Sequence, residues 1–285
     1  MISRGLAKAA EEKGVEIRLD SPVKKLDMTG RKVKGVILEN GETLSADETI
    51  VNADFGYAMT KLVDEGVLKK WTDKKLSKKL FSCSTFMLYL GLDKLYDYPH
   101  HTIIFADDYQ KNIEDVADRK VLSGDYSFYV RNSSITDPRV APEGHSAVYV
   151  LVPTPNNKSN IDWIKEGPAV RDKILDLIAT KTDMTDIKDH IVEEKVVTPN
   201  GWEEDYNVYL GATFNLGHNI SQMLYLRPRN RFEELDNCWL VGGGTHPGSG
   251  VPTILESARI TANLMSKKYG IPFTPPSSLS RKDIE

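Results

Sequence analysis

Cys238–Met265 reads CWLVGGGTHPGSGVPTILESARITANLM. Trp239–Val241 has the length and character of a short buried strand, and it runs into three consecutive glycines, Gly242–Gly244. A loop of His246, Pro247, Gly248, Ser249 and Gly250 follows. Beyond it the spacing predicts a helix. Pro252 sits at its entry, Thr253-x-x-Glu256 matches a capping box, and Ile254, Leu255, Ala258, Ala262 and Met265 make an apolar stripe. Ala258 and Ala262 leave room for a close neighbour. A strand, a Gly-rich turn and a helix in sequence can offer backbone N–H groups to a phosphate or cofactor. The same pattern also serves as a plain tight turn, and the residues alone leave both readings open.

Known phosphate loops do not fit. Gly242-x-Gly244 begins a G-x-G-x-x-G fingerprint, but the third glycine position holds Pro247 and Gly248 comes one residue late. That fingerprint also has to open a βαβ unit with an acidic residue about 20 positions on. Here the helix runs to about Lys268 and no further strand is read after it. No Gly-Lys-Ser/Thr follows, so a Walker A loop fails as well. The stretch is therefore not an ADP-binding loop. Gly248 and Gly250 would let backbone approach a flat ligand without a Cβ in the way. The partial positive charge of the helix N-terminus suits a group that becomes anionic on reduction.

Outward from this stretch, the pattern is α+β. Ile2–Lys13 has helical spacing with Gly14 as its stop, and Val15–Leu19 alternates as a strand. Val33–Leu38 and Thr43–Ala46 flank Asn40-Gly41, a two-residue hairpin signal. Asp47–Asp54 reads as a buried strand ending in polar residues, with Asp54 placed to cap a helix after it. Gly56–Leu80 is helix-like and carries Lys61, Lys69, Lys70, Lys74, Lys75, Lys78 and Lys79, either a solvated face or a basic patch for anionic lipid. Ser84–Leu92, Ser127–Arg131, Ala147–Val152 and Val192–Thr198 read as strands, and Ile161–Thr182 as a helix starting in earnest at Pro168. From Ile271 a Pro-rich charged tail is expected to fray.

A chain of 285 residues with net charge -4 has no global basic field, so nucleic acid is not an expected partner. Its two cysteines, Cys83 and Cys238, lie far apart in apolar segments, which points away from a disulfide framework and toward a reducing, cytoplasmic setting. No signal peptide is read, and no apolar run approaches the roughly 20 residues a spanning helix needs. Membrane contact would be peripheral. No metal-ligand spacing, Ser-His-Asp set or paired carboxylate is visible.

LVGGGTHPGSGVPTILESARITANLM resembles the C-terminal signature of the phytoene desaturase (carotenoid dehydrogenase) family of FAD-dependent oxidoreductases, amine oxidase-like flavoproteins. AEEKGVEIRLDSPVKKL, ADETIVNAD, STFMLYLGL, SFYVRNSSITDPRVAPEGHSAVYVLVPTP and FNLGHNISQMLYLRPRN agree in order, so the resemblance runs to about Ile271. Members begin with a Rossmann βαβ that holds the ADP half of FAD, and this sequence shows none. The resemblance thus implies the C-terminal portion of such a protein, with the N-terminal dinucleotide-binding part missing or supplied separately; a homo-oligomer is the other partner it allows. It implies an α+β (α/β-derived) fold, the C-terminal part of an FAD-linked Rossmann-like layer with an inserted mixed β-sheet and helices. The expected divisions are 1–54 and 211–270 for the FAD layer, 55–210 for the substrate domain and 271–285 for a flexible tail.

The resemblance also distributes the site. Val23 would contact the adenine side through its backbone, and Gly243, Gly244 and Thr245 the ribityl–pyrophosphate side. Gly250, Val251, Pro252 and Thr253 would meet the ring at N1 and O2, with Val251 and Thr253 as donors because Pro252 has no N–H. His246 is a surface-turn residue or a flavin-edge residue. Aromatic residues Phe86, Tyr89, Phe128, Tyr129 and Tyr149 are core or tunnel wall. His218, Asn219, Gln222 and Arg227 either line the tunnel or satisfy a buried loop. The implied reaction is dehydrogenation of a long hydrophobic polyene such as phytoene, with hydride passing to flavin N5. No protein catalytic group is assigned. Related chemistries (carotenoid isomerase, retinol saturase-like or terminal carotenoid oxidase) and non-catalytic polyene binding stay open. A lipid-dwelling substrate implies peripheral membrane contact.

Overall fold

A computed structural model describes residues 2–272. Helix α1 (Ile2–Glu11) comes first and buries none of its residues. Strands β1 (Val23–Thr29), β2 (Lys32–Leu38) and β3 (Thr43–Ser45) then form an antiparallel sheet in that order. Asn40 and Gly41 make the expected hairpin turn. Gly41 has φ +87°, which glycine adopts without strain, and the Asn40 side chain accepts from the Glu42 N–H at 2.9 Å. The expected strand over Val15–Leu19 does not form. Its alternation is present, but no ladder partner exists among the described residues, and Val15, Ile17 and Leu19 are all exposed.

β4 (Thr49–Val51) is shorter than the expected buried strand, and Ile50 at its centre is half exposed. The helix anticipated over Gly56–Leu80 is broken into short pieces: a turn at Phe55–Tyr57 running into a wider turn at Ala58–Leu62, then Asp73–Leu76. The break has a local cause. Gly66 sits at φ +82°, and buried Glu234 takes the backbone N–H groups of Lys69, Lys70 and Trp71 at 2.6–3.0 Å. Those donors point at a carboxylate instead of at helical carbonyls.

A five-stranded antiparallel sheet follows, built from β5 (Ser84–Leu92), β6 (His101–Ile104), β7 (Phe128–Asn132), β8 (Ser146–Thr154) and β9 (Ile191–Val197) in the order β6-β7-β8-β5-β9. Period-two alternation sends Phe86, Leu88, Leu90, Phe128, Val130, Val148, Val150 and Val152 to one face. There they pack under helix α2 (Trp163–Lys181) through Trp163, Val170, Ile174, Leu175 and Ile178. Pro168 lies inside α2 and does not begin it. The start is fixed by Asp162, whose carboxylate accepts from the N–H groups of Ile164 and Lys165, and by Trp163 against Phe86 (5.8 Å between rings). One missing N–H in the second turn is tolerated where cap and packing both hold the first.

The chain then returns to the first layer. β10 (Cys238–Leu240) pairs in parallel with β4, Cys238 with Thr49, Trp239 with Ile50 and Leu240 with Val51, so residues far apart in sequence share one sheet. Leu26, Val33, Val51, Phe55, Met59, Trp71, Phe81, Leu216, Phe232 and Leu240 form the second hydrophobic core. The stretch 55–81 therefore packs with the returning segment. Helix α3 (Val251–Lys268) closes the order. The expected tail lies, from residue 273 on, outside the described residues.

Candidate functional site

Each glycine of the run has its own reason. Gly242 leaves β10 at φ +103° and donates its N–H to Ser257 Oγ at 2.9 Å. A methyl group at Gly244 would stand 2.4 Å from Phe55 Cβ and 2.6 Å from Asn215 Oδ1, a contact nothing but glycine can make. At Gly243 the same methyl would meet Ser249 Oγ at an ordinary 3.4 Å. Thr245, nearly wholly buried, closes the turn by donating its N–H to the Gly242 carbonyl. His246 stacks on Tyr225 (5.1 Å, 18° between planes), and its Nδ1 has no partner. Its carbonyl accepts from Asn230 Nδ2, which also reaches the Ser257 carbonyl and Thr261 Oγ1.

The expected capping box on α3 is not made. The helix starts three residues earlier than that box implies, at Val251, after Gly250 at φ +106°. Thr253 therefore lies within the first turn and turns its hydroxyl back to the carbonyls of Ser249 and Gly250, while Glu256 pairs with Arg259. Among the described residues no side chain caps this N-terminus. Its first N–H groups are left for solvent or a ligand, and Val251 and Pro252 are exposed. The apolar stripe is also corrected. Leu255, Ala258 and Ala262 face outward, and the buried face carries Ser257 and Thr261. These hydroxyls are satisfied inside, Thr261 Oγ1 donating to the Leu240 carbonyl at 2.9 Å and Ser257 Oγ to that of Ile254. A hydroxyl with a buried acceptor behaves as a packing group, which an apolar pattern does not register.

Asp54 joins the two returns of the chain. Its Oδ1 accepts from the Tyr57 N–H at 2.9 Å, the expected cap, and from the Tyr209 N–H at 3.2 Å, while Asn215 Nδ2 donates to Oδ2. Burial outweighs these donors and pushes the carboxyl up to about 6.

Arg227 lies beneath the loop and is 1% exposed. Its Nη2 donates to the Leu216 carbonyl at 2.9 Å and lies 3.2 Å from His218 Nε2, whereas Nε and Nη1 have no partner. Burial lowers the guanidinium to about 10, which leaves it charged at neutral pH, and burial followed by the Arg227 charge lowers His218. Gln222 spends both ends of its amide on the Leu80 backbone, at 3.1 and 2.7 Å, and so clamps a loop. Val23 begins β1 opposite Leu38 and packs on the second core, with its strand partner in β2.

The five-stranded sheet separates the candidate aromatics. Phe86 and Phe128 face α2 and are closed off. Tyr89, Tyr129 and Tyr149 stand on the opposite face with ring centroids 5.7 and 6.0 Å apart. Arg131 lies over Tyr149 at 5.6 Å, and His101 bonds the Tyr129 hydroxyl. Phe86 and Tyr129 are thus not in one site. Elsewhere Lys69, Lys70, Lys75, Lys78 and Lys79 line one cleft of about 530 Å³, beside exposed Leu80.

The glycine loop, the uncapped helix start and the buried Arg227 guanidinium thus lie on one segment of the chain and its immediate underside. Sequence reading missed Asn230, Ser257 and Thr261, which brace the loop. Their partners are distant in sequence and follow no local spacing.

The model of the flavin containing amine oxidoreductases matches residues 1–266. The chain is 55% identical over 272 residues to a 4,4'-diapophytoene desaturase (4,4'-diapolycopene-forming) from Methylomonas sp, covering 95% of this chain and 53% of that protein. It is 40% identical to an all-trans-zeta-carotene desaturase from Myxococcus xanthus, covering 96% and 54%. The chain spans about half the length of the curated relatives it matches. A crystal structure of an oxidoreductase from Methanosarcina mazei shares the fold, with TM-score 0.55 at 16% identity over 90% of this chain and 52% of that one.

Proposed function

The chain belongs to the flavin containing amine oxidoreductase family, and from that premise we propose that it carries the flavin-ring side and the substrate sheet of an FAD-dependent desaturase of long polyenes. The observation that carries this reading is the loop from Gly242 to Thr253, glycine-rich backbone that runs into a helix start with no side-chain cap among the described residues, in a chain 55% identical to a 4,4'-diapophytoene desaturase. A bound flavin supplies the two-electron acceptor for dehydrogenation.

The chain's own residues do the rest. Val251 and Thr253 offer backbone N–H groups, Gly248 and Gly250 keep the approach clear of side chains, and the α3 N-terminus favours negative charge there. Tyr89, Tyr129 and Tyr149 present ring faces to an extended apolar chain on the open side of the sheet. Residues 1–54 and 211–270 form the cofactor layer in this reading. Residues 55–210 form the substrate side, with 55–81 lining the cofactor layer's core. The chemistry needs a polyene carbon held within about 3–3.5 Å of the acceptor to give up hydride, and loss of a proton from the neighbouring carbon, for which no protein base is assigned.

The lysine cleft is the place where the protein would meet a membrane that stores the polyene. No helix among the described residues is long and apolar enough to cross one. The full chain should sediment with anionic liposomes at low salt and release at high salt; a chain that stays in the supernatant at low salt excludes the membrane contact. For the reaction itself, the test is incubation with FAD and liposomes carrying phytoene or its 4,4'-diapo analogue. Extracted polyene with red-shifted absorbance supports desaturation, and unchanged polyene in the presence of bound FAD rejects it.

A further inference from the structure

Arg227 is a charge without a counter-ion. Its guanidinium is 1% exposed, and among the described residues no carboxylate pairs with it. Two of its three nitrogens lack any partner. A buried unpaired charge is costly and persists where something else repays it. The guanidinium lies directly behind the loop: a methyl group at Gly248 would stand 3.4 Å from Arg227 Nε and 3.8 Å from His218 Nε2. Two residues further on, Gly250 leads into α3, an 18-residue helix whose N-terminus no side chain caps among the described residues. A fixed cation and a helix N-terminus therefore converge on one short piece of backbone, and glycine at 248 keeps them close to whatever rests on its outer side.

We propose that Arg227 is the fixed positive charge of an anion-stabilising site at Gly248–Thr253, and that this site holds a reduced, anionic flavin ring more tightly than an oxidised one. The proposal rests on the flavin reading above for the identity of the anion, and on the unpaired guanidinium for the site itself. Arg227 acts across the loop through its field, so it is a positioning charge rather than a residue that touches the reacting atoms. One unscreened charge several ångströms away is worth roughly tenfold or more in preference between two charge states.

The test measures binding of FAD to the full chain under anaerobic conditions, oxidised and dithionite-reduced, for wild type, Arg227→Gln and Arg227→Lys. Melting curves confirm that each variant is folded. Wild type should bind the reduced form at least about tenfold more tightly than the oxidised form, Arg227→Gln should lose most of that ratio, and Arg227→Lys should keep it. A merely structural arginine would shift both affinities together and leave the ratio alone. Equal ratios in wild type and Arg227→Gln overturn the proposal while the flavin reading stands. If wild type binds neither form of FAD nor either form of lumiflavin, which needs only the ring side, the flavin reading fails. Inorganic phosphate then decides the site: a melting temperature raised by phosphate in wild type and not in Arg227→Gln supports an anion site with a phosphate ligand, and no difference overturns it.

Discussion

Gly243 and Gly244 are adjacent, and the structure gives them opposite tolerances. At 244 an added methyl would sit 2.4 Å from Phe55 Cβ and 2.6 Å from Asn215 Oδ1. Neither neighbour can yield cheaply. Phe55 Cβ is fixed to a backbone packed in the second core, and Asn215 is held by Asp54 and the Leu216 N–H. Opening both contacts needs a shift of about 1 Å in a close-packed region, at the upper end of the 1–3 kcal/mol that overpacking costs. At 243 the methyl meets Ser249 Oγ at 3.4 Å, a side chain with rotamers to spare. Gly244→Ala should therefore destabilise by about 3 kcal/mol, a fall in Tm of roughly 6–12 °C. Gly243→Ala should cost less than about 1 kcal/mol. Parallel thermal and urea melts of the two single variants measure this. Equal losses, or a larger loss at 243, would refute the view that packing against Phe55 and Asn215 requires the second of these glycines.

Asp54 carries a pH prediction with a definite sign. Its folded pKa of about 6 stands above the ordinary 3.8, so its contribution is complete below the ordinary value and is lost as pH rises through about 6. The loss amounts to about 2–2.5 kcal/mol between pH 4 and 7, and Asp54→Asn should flatten the stability profile by that amount. Identical profiles for the two proteins would contradict it. Asn230→Ala strands the His246 carbonyl and opens a void behind the loop. It should cost about 2–4 kcal/mol in urea melts, and a cost under about 0.5 kcal/mol would show that Asn230 does not brace the loop.

Local physics made part of this molecule readable. STFMLYLGL reads as a strand and is β5, Ser84–Leu92, Asn40-Gly41 marked the hairpin, and Asp54 announced a cap because its carboxylate satisfies an N–H three residues on. Parity along β5 already places Phe86 and Tyr89 on opposite faces, but which face lies under α2 depends on a helix nearly 80 residues away. The parallel pairing of β4 with β10 joins segments almost 190 residues apart and has no local signature. Glu234 breaks the lysine-rich segment from a similar distance. On α3, apolarity misassigned the inner face because Ser257 and Thr261 find buried partners that only the fold provides. The glycine loop was legible as a turn between a strand and a helix. The charge beneath it was not, since nothing in LRPRN says that Arg227 turns inward.

On the proposed reading, this loop and sheet bring a flavin and a polyene together for dehydrogenation. An anaerobic titration tests it most directly: the full chain with bound FAD, polyene added stepwise in detergent, and the spectrum followed throughout. The flavin's visible absorbance should bleach with each addition while new polyene absorbance grows at longer wavelength in equal amount. Polyene binding with the flavin spectrum left oxidised would contradict it.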